Sequence, residues 1–285
     1  MAFIAFALGV TALFFASSLM LLHYGRRLGL RYIAKQGVDS MAGLPTIEGA
    51  VFALIGLLLA FTISGALQRF DERRQLVVQE ANAAATAYDR LALFGPAAPA
   101  LQGKLKQYTD ARVELYAMPH DFSISQRAEV WPPQQLSKIA DLKREVWNAT
   151  VAACAPSNYP PACGLALTAL NNAFEVARLR VGAAEKHPPQ IVYILLFSLG
   201  LGGSLLAGFG MAAAAARSWV HMIMFAATLS IALYAVTDME FPRLGLIRVE
   251  SFDHFLAEVY AEMRDAQPVS VPHLGSHSGS SSGPM

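Results

Sequence analysis

One stretch of the sequence limits the fold more than any other. It runs from Ile47 to Ala66 as IEGAVFALIGLLLAFTISGA, and its only ionisable group is Glu48, near the start. About twenty apolar residues are what an α-helix needs to cross the hydrocarbon core of a bilayer. This stretch is therefore predicted to be a transmembrane helix.

The same helix is predicted to continue out of the membrane. No proline occurs between Pro45 and Pro96, and Gly65 is the one residue near the exit that weakens a helix. A rod from Thr46 to Phe94 would be roughly 70 Å long at about 1.5 Å per residue. We expect this rod to be the axis of the molecule.

The composition places the chain among membrane proteins. Of its 285 residues, 54% are hydrophobic and only 15% are charged, whereas soluble domains carry charges on about a quarter of their residues. A net charge of +1 without a basic stripe gives no reason to expect a nucleic-acid partner. The apolar start is long enough to span and is followed by basic residues, which indicates an uncleaved anchor rather than a signal peptide.

The predicted fold is all-α, an integral membrane protein with four transmembrane helices and an extramembrane helical bundle between the second and third. Besides the second span, the predicted spans are Ala2–Leu22, Gln190–Ala213 and Val220–Thr237. The bundle combines the extension of the second helix with Leu101–Ala117, Pro133–Ala153 and Gly164–Lys186. The predicted boundaries are 1–66 for the first two spans, 67–187 for the bundle, 188–240 for the last two spans, and 241–285 for an amphipathic helix and disordered tail.

Charge and cysteines bear on the orientation. A short loop rich in cations should stay in the cytoplasm, and the first span is followed by Arg26, Arg27, Arg31 and Lys35. Cys154 and Cys163 bracket a proline-rich loop, and their spacing fits no zinc or redox pair, which leaves a disulfide or two inert thiols. A disulfide requires an oxidising compartment. Both features favour a bundle on the periplasmic side of the inner membrane.

Two spans carry stripes of small residues at three- and four-residue steps, where another helix can approach closely. In the second span they are Gly49, Ala53, Gly56, Ala60 and Ser64; in the third, Gly200, Ser204, Gly208 and Ala212. We expect these two helices to contact each other. The stripe on the second span has two interpretations: simple helix packing, or a face that lines a pore together with the edge at Thr62–Ser64.

Charged residues are concentrated at the ends of the second and fourth spans, where ionisable groups are often functional. They are Arg69, Asp71, Glu72, Arg73, Arg74, Asp238, Glu240, Arg243 and Arg248. One interpretation is an ion-pair lock between the two sets, and the other is an ion-binding mouth. The sequence contains no phosphate-binding glycine loop, G-x-S-x-G, H-E-x-x-H or clustered histidines, so we expect no enzyme, no cofactor and no metal site.

Four segments carry a family resemblance. They are RFDERR after the second span, QEANAAATAYDRL on its extension, RSWVH between the last two spans, and DMEFPRLGLIRV after the last. In this order the chain resembles the bestrophin-like family, bacterial membrane proteins of unknown function named for a remote likeness to bestrophin chloride channels. Bestrophins are pentameric anion channels whose second transmembrane helix lines the pore. The resemblance implies an apolar neck formed by Phe52, Leu58, Leu59 and Phe61. It also implies a cytoplasmic bundle, opposite to the orientation that charge and cysteines favour.

These observations predict a self-associating channel for small ions, with rings of Arg69, Arg73 and Arg74 favouring anions at the mouth. The rival hypothesis is a non-conducting sensor or scaffold whose bundle binds an envelope protein, while the spans anchor it in membrane lipid.

Overall fold

The computed structural model describes residues 2–118, 131–155, 160–214, 219–241 and 253–265, and the folded elements in these ranges are helices. In chain order the α-helices are α1 Ala2–Gln36, α2 Leu44–Leu91, α3 Ala98–Ala117, α4 Pro133–Cys154, α5 Pro160–Glu185, α6 Gln190–Gly210, α7 Trp219–Glu240 and α8 Asp253–Asp265. Short 3-10 helices occupy Val38–Met41, Ala92–Ala97 and Met211–Ala213.

The prediction of four membrane-spanning helices is confirmed at the level of length and composition. Helices α1, α2, α6 and α7 lie in the four stretches that are long and apolar enough to cross a bilayer. Prolines set several of the boundaries, because proline fixes its own φ and restricts the residue before it. Pro133 opens α4, and Pro188 and Pro189 separate α5 from α6.

The long helix α2 is continuous from the apolar stretch into the polar one. Its 48 residues extend about 72 Å at about 1.5 Å per residue. It ends at Leu91, three residues before the predicted end, and a 3-10 helix follows it. Gly95 in that turn has φ +56, a conformation that favours glycine, and Pro96 follows directly.

The basic segment after the first apolar stretch is not a loop, as the sequence suggested, but the last three turns of α1. This helix ends at Gln36 because Gly37 adopts φ +84. The Gly37 N–H donates to the carbonyl of Ile33 at 2.8 Å, a common way to close the end of a helix. Arg26, Arg31 and the residues between them are therefore presented on a rigid helix.

The chain divides into two compact units. The first comprises Met1–Val78, Met118–Trp131 and Ala177–His254, and contains the apolar helices. Helix α1 packs along α6 and against α7. Buried side chains of this unit form apolar clusters, two of which lie among the described residues. One contains Leu22, Ala207, Met222 and Ala226; the other contains Phe14, Leu196 and Leu233.

The second unit comprises Gln79–Ala117, Pro132–Val176 and Phe255–Met285. Helix α3 packs along α4, and the Tyr108 and Phe174 rings meet edge to face with centroids 5.1 Å apart. Fully buried apolar side chains from several helices fill its interior; they include Leu105, Leu115, Val146 and Leu170. A shared apolar interior of this kind is typical of helical bundles, and the location of this unit outside the membrane stays a prediction.

Candidate functional site

One face of α2 is uncovered along its whole apolar part. All five members of its small-residue stripe are exposed in the protomer, and so are the larger side chains beside them. A Cβ atom built on Gly49 or Gly56 would meet no other atom within 4 Å. We call this surface the open face of α2 and define it by Gly49, Ala53, Gly56, Ala60 and Ser64, flanked by Leu54, Leu57 and Phe61.

Three of the predicted neck residues do not lie on the open face. Phe52 packs edge to face on Phe225, with ring centroids 5.8 Å apart, and Leu58 and Leu59 pack against the cluster around Phe14. They are partly buried in the protomer, because α2 turns this side toward the other apolar helices. Their place in a neck stays a prediction.

The remaining predicted residues divide between the two sides. Phe61 is 66% exposed, and Ser64 is exposed on the open face. The Thr62 hydroxyl donates to the carbonyl of Leu58 at 2.8 Å, so its donor is already used within the helix. Leu54 and Leu57 are exposed apolar side chains that sequence reasoning missed, although their spacing from Phe61 by seven and four residues could have indicated a shared face.

The two helices that carry small-residue stripes do contact each other, as expected, but the stripes are not the contact surface. The glycines of the α6 stripe face α1: a Cβ on Gly200 would lie 2.8 Å from the Phe14 ring, and one on Gly208 would overlap the backbone of Leu22. Helix α6 reaches α2 through a different residue, Gly203, which faces Ile55 and Phe52. A stripe of small residues permits another helix to approach closely, but it does not determine which helix packs there.

A buried carboxylate organises the charged cluster. Glu240, at the end of α7, has no exposed surface. It accepts a hydrogen bond from Arg69 Nε at 2.9 Å, and Arg69 Nη2 forms an ion pair with it. Arg73 Nη2 and His187 Nδ1 lie 4.0 and 3.9 Å from the second carboxylate oxygen. For Glu240, the described geometry is that of the ion-pair alternative.

The buried guanidinium of Arg73 also binds the ends of two helices. It donates to the carbonyls of Ala183 at 3.0 Å and Lys186 at 2.7 Å, at the end of α5. Its Nη1 lies 3.4 Å from the carbonyls of Met239 and Glu240, at the end of α7. The last carbonyls of a helix lack partners within the helix, so one side chain of α2 caps two other helices. Sequence reasoning missed this role.

The other charged residues are more peripheral. Arg74 lies 3.4 Å from Asp71 one turn earlier, and Glu72 pairs with Lys186 at 3.1 Å across the protomer. Asp238 is buried and accepts a hydrogen bond from the Tyr234 hydroxyl at 3.1 Å. The remaining two predicted members, Arg243 and Arg248, lie outside the described residues.

The second unit contains a disulfide and a buried ion pair. Cys154 and Cys163 are joined in a disulfide, with Cα atoms 5.6 Å apart. Inside the bundle, Arg112 Nε donates to Glu80 at 2.8 Å, and both side chains are buried. Burial opposes the charge on Arg112, but the Glu80 carboxylate outweighs it and raises the pKa of Arg112. Burial raises the pKa of Tyr108 beside this pair.

No sequence pattern predicted the Glu80–Arg112 pair, because its members lie 32 residues apart on different helices. Across the described ranges, no group of three or more His, Cys, Asp or Glu side chains is placed to hold a metal ion.

Comparison with known proteins gives one family. A family model described as a bestrophin-like domain matches residues 27–251, whereas no curated protein sequence matches. Among solved structures, a point variant of a bacterial bestrophin homologue from Klebsiella pneumoniae aligns with a TM-score of 0.60 and 14% identity, covering 86% of this chain and 97% of that one. A structure of that homologue solved by zinc phasing aligns with a TM-score of 0.56 and 14% identity, over 86% and 97% of the two chains. At this identity the likeness shows a shared fold.

Proposed function

The chain belongs to the bestrophin-like family, and from that premise we propose that it assembles with copies of itself into an ion channel of the bacterial inner membrane. Membership relates it to a family of membrane ion channels. In the proposed assembly the open face of α2 lines a central path for small ions, and residues 67–187 form a helical bundle outside the membrane. The small ions and the other copies are its functional partners.

The open face carries this proposal. On α6 and α7 most exposed side chains are large and apolar, as contact with lipid tails requires: they include Ile191 and Ile194 on α6 and Val220 and Ile231 on α7. On α2 the exposed surface instead combines a stripe of glycine, alanine and serine with large apolar side chains, and α1 shares this feature through its exposed small residues, Ala5, Gly9, Ala12 and Ala16. Lipid tails gain little packing energy from a stripe of small residues. Such a stripe does allow other helices to approach closely around a shared axis. Exposed Leu54, Leu57 and Phe61 supply apolar side chains for a neck that closes by dewetting.

The same face becomes polar where α2 leaves the apolar stretch. Gln68, Asp71 and Gln75 follow Ser64 at four-, three- and four-residue steps, and all are exposed. Side chains at these steps share one face of a helix. They lie beyond the apolar stretch, so the open face continues as a polar surface into the proposed mouth of the pore.

The anion preference expected from three arginines loses its physical basis. Arg69 and Arg73 lie on the side of α2 that binds the buried Glu240, so this carboxylate compensates one of the two charges and both guanidinium groups point away from the open face. Of the three, only Arg74 is near the open face, where it pairs with Asp71. We therefore propose a mouth whose net charge per copy is close to zero and which discriminates weakly between anions and cations.

A pair of substitutions at the mouth tests this proposal. Asp71→Asn removes a negative charge from the mouth and is expected to shift the reversal potential toward that of chloride, whereas Arg74→Gln removes a positive charge and is expected to shift it toward that of the cation. The measurement is bilayer recording under a potassium chloride gradient. Shifts of the same sign, or none in either variant, would remove these residues from the ion path.

The channel itself is tested by ion flux into liposomes containing the purified protein. Phe61→Ala is expected to raise the flux severalfold, because it widens the proposed neck. Ile231→Ala is the matched control, since Ile231 is equally exposed but lies on α7, outside the proposed path. If neither the unaltered protein nor Phe61→Ala passes ions, the channel proposal fails and the sensor or scaffold alternative takes its place.

For orientation we propose a multi-pass arrangement with the basic end of α1 in the cytoplasm and the bundle in the periplasm. The disulfide supports this, because such bonds persist in oxidising compartments. The cations at the end of α1 support it independently through the positive-inside rule. This orientation is opposite to the one implied by the bestrophins.

A further inference from the structure

Helix α1 presents one continuous exposed stripe that changes in character along its length. The stripe begins with Leu13, 68% exposed, and Met20, 66% exposed, and reaches Tyr24, 53% exposed. Three exposed cations follow at steps of three, four and four residues: Arg27, Arg31 and Lys35. These spacings keep all six side chains on one face of a helix. We call this surface the α1 stripe.

The opposite face of α1 is fixed against α6. A Cβ on Gly29 would lie 2.5 Å from Cβ of Ala212, and one on Gly25 would overlap the backbone of Leu205, so the two helices are in close contact here. The Tyr32 ring lies 5.7 Å from the Phe209 ring on the same side. The cations of the stripe are therefore held on a rigid helix and not on a flexible loop.

These cations are not matched by carboxylates. Among the described residues, no ion pair is formed by Arg26, Arg27, Arg31 or Lys35. The first acidic residue after them is Asp39, beyond the end of the helix. An exposed run of this kind directly after a membrane span attracts anionic lipid headgroups.

The heights along the stripe match the layers of a bilayer. At about 1.5 Å per residue, Arg27 lies about 21 Å beyond Leu13 but only about 4.5 Å beyond Tyr24. Tyrosine favours the boundary between hydrocarbon and headgroups, and the headgroup layer on each side is roughly 5–7 Å thick. Arg27 then lies at the depth of lipid phosphates, and Arg31 lies one turn farther out.

We propose that the α1 stripe binds an anionic phospholipid. Its acyl chains lie along Leu13 and Met20, and its phosphate contacts Arg27 and Arg31. Guanidinium groups suit this role because their N–H donors match phosphate oxygens in pairs. A second copy of the chain fits the stripe less well, because it would have to bring carboxylates to this height. Asp71, the exposed carboxylate on the open face of α2, lies past the opposite end of that span.

Lipid retention by the purified full-length protein tests the proposal by native mass spectrometry. The probes are phosphatidylglycerol and phosphatidylcholine with identical acyl chains. The unaltered protein is expected to retain the anionic lipid preferentially, and Arg27→Gln/Arg31→Gln to bind it at least tenfold more weakly, since each cation near a lipid surface contributes about a fivefold change. Arg27→Lys/Arg31→Lys should recover most of the affinity, because it keeps the charge.

The control is Lys143→Gln/Arg144→Gln, which removes the same charge from exposed positions on α4 and should leave lipid retention unchanged. Equal retention of the two lipids, or unchanged retention in the Arg27→Gln/Arg31→Gln variant with its circular dichroism intact, would overturn the proposal. Displacement of the lipid by inorganic phosphate would also overturn it, since that would indicate a general anion site. The assay involves no ion flux, so its outcome is independent of the channel proposal.

Discussion

Glu240 shows how a single residue can hold an interior together. It is fully buried between the middle of α2 and the ends of α5 and α7, where it accepts hydrogen bonds from Arg69 and lies beside Arg73 and His187. A buried ion pair adds little net stability compared with an apolar substitute, but removing one partner leaves the other charge uncompensated. The cluster is therefore expected to affect the free energy of unfolding mainly when one of its partners is removed.

Glu240→Gln is expected to lower the free energy of unfolding by about 3 kcal/mol, because the buried guanidinium of Arg73 loses its counter-charge. Thermal unfolding in detergent measures the change. Glu72→Gln breaks the exposed pair with Lys186 and serves as the control, with an expected cost below about 1 kcal/mol. Equal costs for the two substitutions would show that Glu240 is not the organising charge.

Arg73→Lys is expected to cost about 2 kcal/mol even though it keeps the positive charge. An ammonium group cannot reach the carbonyls at the ends of α5 and α7 together as the planar guanidinium does. The same change at half-buried Arg74, which caps no helix end among the described contacts, should be nearly neutral by thermal unfolding. A neutral result at Arg73 would mean that its charge alone, and not its geometry, is needed.

At the scale of elements, the helices could be predicted well but their pairings could not. The apolar lengths and the prolines predicted the bounds of α3, α4 and α6 within three residues. The side of α2 that is covered was not predictable, because small residues recur on both α2 and α6 and either stripe could have met α1. The Glu80–Arg112 pair was not predictable either, because no local sequence pattern links two residues 32 positions apart.

Two glycines distinguish the covered and uncovered sides of the apolar helices. Gly208→Ala should destabilise the protomer by about 1–3 kcal/mol, because the new methyl group overlaps the backbone of Leu22. Gly56→Ala should be neutral or stabilising by up to about 1 kcal/mol, because its surroundings are open and alanine favours the helix. Thermal unfolding in detergent compares them, and the reverse order would contradict the packing described for α2 and α6.

At the scale of the whole molecule, the disulfide makes the orientation measurable. After mild reduction of intact cells, a membrane-impermeant maleimide is expected to label Cys154 and Cys163 without permeabilisation. In a background with both cysteines changed to serine, Lys35→Cys should be labelled only after permeabilisation, because the proposed orientation puts this residue in the cytoplasm. The opposite pattern would place the bundle in the cytoplasm, as in the bestrophins.

The cap made by Arg73 has a mechanical consequence for any opening motion. One guanidinium holds α2 to the ends of α5 and α7. Rotation of α2 about its own axis would therefore break those hydrogen bonds. A transition that preserves them must move α2 together with the ends of α5 and α7, so a displacement of either helix end would be transmitted to α2, whose open face lines the proposed pore.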